Sequence, residues 1–321
     1  MNKSLRETEI EFLRYEEDKI NHNADLYKRY GKPIFWRWLI NILADWIVVI
    51  GVYWLMSWSN NNVSYWLLPG IYFIAILVIG NRQHAISVMG HEGTHRLASQ
   101  IRWFNDFVTD FFCWWPLGTG FKRFRLFHME HHRYLGTELD PEYGKKVISD
   151  PIFDIPKTKG QIVRRFLLGL IGFHGGWKEL FAAIWDFRPI TFYENIGLWL
   201  WRGAVFLILW QLQIWWWAIP LWFIAQGTAF WSMFRLRLWT EHVGTSETHR
   251  VWVPLWQRIL YLPHYVWLHW EHHQWDFIPF WNLPKVRLLN QSVKIIPVGE
   301  VLDSYATSHF YKTGIVRETL V

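Results

Sequence analysis

The stretch HMEHH at residues 128–132 places three imidazoles at i, i+3 and i+4, which is the spacing of one face of an α-helix. HWEHH at residues 269–273 repeats that spacing, and HEGTH at residues 91–95 puts two imidazoles one turn apart. His242 adds a ninth imidazole between the second and third stretches. Neutral imidazole is the commonest metal ligand in proteins. The spacing therefore predicts three helical turns, each aimed at a metal.

Nine clustered imidazoles exceed what one zinc ion needs, because zinc sites usually take four ligands. They suit two metal ions of higher coordination number that keep a position open for chemistry, which indicates iron and oxygen. The candidate ligands are His91, His95, His128, His131, His132, His242, His269, His272 and His273.

Further polar residues near these histidine boxes are candidates for holding the ligands in place. An acid can accept the second ring N–H of a ligating histidine and so fix its tautomer and direction. Because adjacent helical residues do not face the same way, each such acid is expected to serve a histidine of another box. The candidates are Glu92, Glu130, Glu241 and Glu271, together with the nearby His84 and His264.

The composition favours a membrane protein. Of 321 residues, 51% are hydrophobic and 26 are Trp, a side chain that concentrates at membrane–water interfaces. The single cysteine, Cys113, excludes an internal disulfide and a thiolate metal site. We attribute the net charge of +6 mainly to Lys and Arg beside the membrane and expect no nucleic acid partner. Lys122, Arg123 and Arg125 are alternatively a contact for an acidic electron donor or lipid headgroups.

Four apolar stretches predict an all-α integral membrane protein whose four transmembrane helices form two hairpins. A span needs about 20 mostly apolar residues, and a helix satisfies its own backbone groups. The predicted spans are residues 34–58, 63–80, 196–212 and 215–235. No charged residue lies between Asp45 and Arg82 or between Arg202 and Arg235. By the positive-inside rule, both termini and all boxes are expected on the cytoplasmic side.

The chain is predicted to form one membrane domain, residues 34–285, whose helical cytosolic cap carries the di-metal site. Residues 1–33 are expected to be a cytosolic N-terminal segment, and residues 286–321 a cytosolic C-terminal extension. Asp45 and Arg202 are ionisable groups within or near apolar spans, where such groups are costly and often paired. One hypothesis is that they pair with each other.

The boxes, their order and the two hairpins resemble the membrane-bound fatty acid desaturase superfamily over most of residues 34–285. The sequences GTELDP at 136–141 and IPFWNLP at 278–284 are also similar to that family. The resemblance implies a non-haem di-iron centre held by the nine histidines, O2 as co-substrate, and an external electron donor such as ferredoxin or a cytochrome b5-type protein. Leu238 departs from the family's animal members, which have an Asn there that contacts iron through water.

The resemblance implies an O2-dependent desaturase acting on the acyl chain of a lipid. A hydroxylase or ketolase of another apolar lipid, such as a carotenoid, sterol or alkane, would share the boxes, so the motifs do not separate the two. A third hypothesis is an intramembrane zinc metalloprotease, because HEGTH matches the HExxH motif. That hypothesis uses two imidazoles and leaves the other seven without a role.

Overall fold

The computed structural model describes residues 5–137, 139–143, 158–241, 248–291 and 293–307. Within these residues the chain is mostly helical, as predicted. It departs from an all-α fold only in one pair of short parallel strands, β1 (Val251–Trp252) and β2 (Ile296–Pro297).

The α-helices are α1 (Leu5–His22), α2 (Ala24–Leu26), α3 (Phe35–Asn62), α4 (Leu68–Thr94), α5 (Arg102–Thr109), α6 (Trp115–Leu117), α7 (Phe121–Tyr134), α8 (Pro141–Tyr143), α9 (Lys159–Leu170), α10 (Gly176–Asp186), α11 (Phe192–Gln211), α12 (Trp215–Ala225), α13 (Trp231–Leu238), α14 (Leu255–Tyr261), α15 (His269–Gln274), α16 (Leu283–Leu289) and α17 (Val298–Thr307). Three π-helical turns occupy Tyr27–Gly31, Asp110–Trp114 and Gln226–Phe230, and a 3₁₀ turn occupies Phe280–Asn282.

Helices α3 and α4 form the first predicted hairpin, and both are long and apolar enough to cross a membrane. The second helix continues well past the predicted boundary at residue 80 and ends at Thr94. Residues 83–94 of α4 are buried inside the protein, so this part of the helix needs no apolar surface toward lipid. One helix therefore connects the apolar hairpin to the first histidine box.

The second predicted hairpin contains α11, then α12, the π-turn Gln226–Phe230 and α13 in succession. Its helices pack on the first hairpin through aromatic and small residues. The Trp46 and Trp222 rings stack with centroids 5.8 Å apart, and Tyr53 donates a hydrogen bond to the Ala218 carbonyl over 3.0 Å. At Gly80 a Cβ would lie 2.7 Å from the Phe230 backbone nitrogen. The closest approach of the two hairpins therefore requires glycine.

The segment that spans residues 159–186 forms α9 and α10. The two helices separate at Gly172 and Gly175, whose φ angles of +86° and +74° lie in the region that favours glycine. Phe173 and Trp185 are exposed apolar side chains on this segment. Its apolar surface is consistent with a position at a membrane interface.

The hypothesis that Asp45 pairs with Arg202 is wrong. Asp45 is buried, and its two oxygens lie 2.8 Å from Arg82 Nη1 and 2.7 Å from His264 Nε2. Arg202 instead stacks over the Trp199 ring, with a centroid distance of 5.2 Å. The physical reason is that α3 packs along α4, which brings Arg82 to the acid.

Candidate metal centre

Three helices deliver the histidine boxes to one place. His91 lies in the last turn of α4, and His95 is the residue that caps that helix. HMEHH lies on α7, and HWEHH makes up most of the short helix α15. The helical conformation predicted from the i, i+3 and i+4 spacing is confirmed for the second and third boxes, whereas in the first box the helix ends at Thr94, one residue before His95.

Five box histidines converge on one point. Their ligand atoms all lie within 4.8 Å of one another, and all five residues are buried: His91, His95, His128, His132 and His272. The Nε2 atoms of His95 and His128 are 2.9 Å apart, and those of His132 and His272 are 3.2 Å apart. The described part of the chain offers His91 Nε2 no hydrogen-bond partner. An inward-facing imidazole nitrogen of this kind is suited to a metal.

Three more predicted ligands lie beside this cluster. The Nε2 atoms of His269 and His273 are 3.1 Å apart, and the His131 ring centroid lies 5.1 Å from that of His273. His273 also stacks on His132 with ring centroids 4.1 Å apart, which connects the two groups. The ninth predicted ligand, His242, lies outside the described residues.

Burial lowers the pKa of several of the converging imidazoles. Burial, followed by the charges of neighbouring histidines, lowers the pKa of His95 and of His132 well below the ordinary value. Burial, followed by the charge of Lys19, does the same to the pKa of His272. A neutral imidazole has a lone pair to offer, so the lowered pKa values favour metal binding over protonation.

Carboxylates contact the second ring nitrogen of three box histidines. Asp140 Oδ1 lies 2.9 Å from His131 Nδ1, and Glu241 Oε1 lies 3.4 Å from His269 Nδ1. Asp276 Oδ2 lies 3.4 Å from Nδ1 of His132. Each acid belongs to a different segment from the box that it contacts, except Asp140, which follows its box by a short turn. The contact of His131 with Asp140 is a hydrogen bond, which is the kind of contact that fixes the direction of a ligand.

Of the four glutamates predicted for this role, Glu241 is the one that contacts a box histidine in this way within the described residues. Glu92 instead accepts a hydrogen bond from the Phe280 backbone N–H over 2.9 Å. Glu271 pairs with Arg250 over 2.7 Å. Glu130 is only partly buried, and no hydrogen bond joins it to a box histidine in the described ranges. The sequence did not single out Asp140 or Asp276, because neither residue lies within a histidine box. Asp140 does lie in the GTELDP sequence at residues 136–141, which is similar to the desaturase family.

The two additional histidines also differ from prediction. His264 pairs with Asp45, and its ring packs edge-on against Phe280, so it supports the helix contact described above. His84 is fully buried, and no described residue forms a hydrogen bond with either of its ring nitrogens. Its ring packs against Phe230 and Phe234, with centroids 6.2 and 5.7 Å away. Among the described residues, the rings of His84 and His264 pack against phenylalanines and not against a box histidine.

A mostly apolar cavity of about 190 Å³ opens against the histidines. His91, His128, His131 and His269 form one wall. The other walls include Trp114, Phe124, Phe187, Phe230, Phe234 and Leu238. Leu238 therefore supplies apolar surface at the position where the animal desaturases have an Asn. Concave, largely apolar cavities of this kind are typical of small-molecule sites.

The donor set fits metal ions of intermediate softness. Five buried imidazoles at one point suit iron, copper or zinc. Three further histidines lie beside them, and Asp140 forms a hydrogen bond with one of these, His131. The centre therefore defines a histidine-rich metalloprotein with an apolar substrate cavity.

The fatty acid desaturase family profile matches residues 71–294, more than half of the chain, and the protein belongs to that family. The resemblance seen in the boxes is thus confirmed. A dihydrorhizobitoxine desaturase from Bradyrhizobium elkanii is 26% identical over 258 residues, covering 70% of this chain and 68% of the relative. A beta-carotene ketolase from Paracoccus sp. (strain N81106 / MBIC 01143) is 22% identical over 262 residues, covering 78% of this chain and 87% of the relative.

Proposed function

We propose that this protein is an O2-dependent di-iron oxidoreductase that desaturates the acyl chain of a membrane lipid. The observation that carries the proposal is the contact between the apolar cavity and the histidine cluster, with His91 and His128 belonging to both. Family membership supports an oxidoreductase. An apolar substrate in this cavity would lie directly against the metal ligands.

Two iron ions bound here would supply the electron transfer that activates O2 for removal of hydrogen from an unactivated C–H bond. The protein's own residues hold the ligands and exclude water. The first ion would be held by the five converging histidines. The second would be held by His131, His269 and His273, and the family resemblance adds His242 as an expected ligand. Phe124, Phe230 and Phe234 line the cavity with apolar surface, so that a reacting carbon is kept away from bulk solvent.

A second candidate function is oxygenation of another apolar lipid by the same centre. The similarity to a beta-carotene ketolase favours it, because that relative matches over 87% of its own length. Desaturation and oxygenation require the same ligands and the same apolar cavity. The position of the substrate carbon relative to the metals would decide between them.

The zinc protease hypothesis has little support from the geometry. In HExxH proteases the Glu acts as general base near the metal. Glu92 is buried, and its Oε2 accepts a hydrogen bond from the Phe280 backbone. Five converging imidazoles also exceed the three protein ligands typical of catalytic zinc.

We further infer that the second membrane hairpin consists of α11 and of the continuous stretch formed by α12, the π-turn Gln226–Phe230 and α13. Both termini and the metal centre would then lie on the cytoplasmic side. Trp199, Leu200 and Leu207 expose apolar surface along α11, and no charge lies between Arg202 and Arg235. An external donor, such as a ferredoxin or a cytochrome b5-type protein, would supply the electrons. Lys122 and Arg123 remain candidates for its contact, whereas Arg125 is fully buried and cannot reach a partner.

Mass spectrometry of lipids tests the proposal directly. Cells would express this chain, a His272→Ala variant, or a His22→Ala control, since His22 is exposed and its ring contacts the Asp18 carbonyl of its own helix. Desaturation predicts products two hydrogens lighter, made by the intact chain and the control and absent with His272→Ala. Oxygen-containing products would favour the second candidate. Purified protein that contains zinc in place of iron, with no lipid product, would overturn both.

A further inference from the structure

Helix α1 lies outside residues 71–294, the part of the chain that matches the family, yet its charged side chains contact residues in or beside the histidine boxes. Its side chain Phe12 is buried in the protein, which fixes the helix in place. Glu9 and Glu16 pair with Arg125, which precedes the second box on α7, and Lys19 bonds to the carbonyl of His273 in the third box. These contacts give the N-terminal segment a direct connection to the metal centre.

The first connection runs through Arg125, which lies one turn before His128 on α7 and is fully buried. Its guanidinium pairs with Glu9 over 3.2 Å and with Glu16 over 2.9 Å, both on α1. The same guanidinium donates a hydrogen bond to the carbonyl of Thr94, the neighbour of His95. Helix α1 therefore supplies the counter-charges of a cation that joins the first two boxes.

The second connection runs through Lys19. Its ammonium donates hydrogen bonds to Asp276 Oδ2 and to the His273 carbonyl, each over 2.9 Å. The same Asp276 oxygen faces Nδ1 of His132 at 3.4 Å. On the other side of that ring, His132 Nε2 lies 3.2 Å from Nε2 of His272 in the centre. Lys19 therefore contacts Asp276, Asp276 faces His132, and His132 is one of the five converging histidines.

The burial of the Asp276 carboxylate explains why a lysine lies beside it. The Asp276 side chain is 3% exposed, so an ionised carboxylate there requires a nearby cation. Without Lys19 the carboxylate would lose the cation that pairs with it at 2.9 Å and would turn toward another donor. His132 would then lose the carboxylate that faces its Nδ1 at 3.4 Å, an electrostatic contact that favours one direction of the ring.

We propose that Lys19 is a positioning residue of the metal centre, acting through Asp276 to orient His132. Helix α1 would then help to hold the ligands of the metal centre in place. The proposal rests on the proposed function, since the direction of His132 matters for catalysis only if the ring binds a metal.

Cobalt titration tests it without measuring turnover. Full-length protein in detergent would be freed of metal with a chelator and titrated with Co²⁺, whose visible absorption bands report ligand number and geometry. Lys19→Met and Asp276→Asn are each expected to weaken Co²⁺ binding about 10–100-fold and to alter the bands. Lys19→Arg keeps the charge and should restore most of the affinity. Arg14→Met removes an exposed cation from the same helix and should change neither the Co²⁺ affinity nor the absorption bands.

A double variant separates positioning from general damage. Lys19→Met combined with Asp276→Asn should bind Co²⁺ no more weakly than Asp276→Asn alone, because the lysine acts through the acid. Fully additive losses would overturn the proposal, as would a Lys19→Met protein with the affinity and spectrum of the unaltered chain. An unaltered chain that binds no Co²⁺ would overturn the proposed function and this inference with it.

A second pair of variants covers the case in which Lys19→Met fails to fold. Lys19→Arg and Asp276→Asn then carry the test, because the first keeps the charge beside the acid and the second removes the acceptor. Affinity retained in Lys19→Arg and lost in Asp276→Asn supports the proposal. Equal Co²⁺ affinities and identical spectra for these two variants would overturn it.

Discussion

The Nε2 atoms of His95 and His128 lie 2.9 Å apart, although 33 positions separate the two residues in the chain. This distance is that of a hydrogen bond between the two rings, and it also places both nitrogens where they would bind one ion. It arises because α4 ends at the first box while α7 brings the second box alongside.

Removal of one converging imidazole should empty the centre. His95→Ala is expected to lower activity by more than about 100-fold, since loss of even an outer partner of a ligand costs 10–100-fold. Iron content, measured on the purified protein, should fall in parallel. His22→Ala is the control, because that ring is exposed. Normal iron content and turnover in His95→Ala would contradict the assignment.

Asp140→Asn tests whether the carboxylate beside His131 tunes a ligand. The amide keeps the shape but loses the charge that holds the His131 Nδ1–H over 2.9 Å. We expect metal affinity or activity to fall about 10–100-fold. Glu142→Gln should have the smaller effect, because its carboxylate lies 3.9 Å from the same nitrogen. An equal effect of the two substitutions would argue against a specific role for Asp140.

Filling the apolar cavity should reduce turnover and leave the metal in place. Ala183 lines the cavity, and Ala183→Leu adds three carbons to that wall. We expect turnover of a long-chain substrate to fall about 10-fold or more while iron content is unchanged. Ala204→Leu, on the exposed face of α11, is the matched control. Unaltered substrate preference and rate in Ala183→Leu would place the substrate elsewhere.

The close approach at Gly80 predicts a stability difference between two glycines. In Gly80→Ala the new Cβ would meet the Ala229 Cβ at 2.6 Å and the Phe230 backbone at 2.7 Å, so the helices must separate. We expect a loss of about 1–3 kcal/mol, as in other overpacked interiors. Gly51→Ala meets no atom within 4 Å and should be neutral or stabilising. Thermal unfolding in detergent compares the two.

Two arginines that face α1 should differ in their contribution to stability. Arg125→Met removes the buried cation that pairs with Glu16 and that shares Glu9 with Arg96, and a cost of about 3–5 kcal/mol is typical when one partner of a buried ion pair is lost. Arg102 pairs with Glu17 at 3.7 Å, and both side chains are more than half exposed. Arg102→Met should therefore cost less than about 1 kcal/mol. Equal melting temperatures for the two variants would contradict the burial argument.

The helical boxes and the first hairpin could be predicted because both depend on short-range patterns. Three imidazoles at i, i+3 and i+4 share a face in any helix, and a long apolar run forms a helix wherever lipid or protein covers it. The length of α4 could not be predicted. Its last turns, up to Thr94, are buried by other parts of the chain, so their sequence carries no simple apolar period.

The partners of the ligands were harder to predict than the ligands. Glu241 was found because it lies beside a box histidine in sequence, but Asp276 contacts His132 across 144 positions of the chain. Asp45 was expected to have an ionic partner. In the folded protein Arg82 and His264 lie beside it, and Arg202 does not pair with it. A charge pattern shows that a group needs a counter-charge and does not show which one is near.

By itself, the sequence determined the helical class, the family and the identity of the clustered imidazoles, because helix periodicity and metal-ligand chemistry are local properties of residue type and spacing. Tertiary structure alone decided which five histidines converge, which acids orient them, and how Lys19 reaches the centre. Those relations are distances between segments far apart in the chain. They are set by the packing of α1, α4, α7 and α15, since side chains a few ångströms long can meet only where packed helices bring them together.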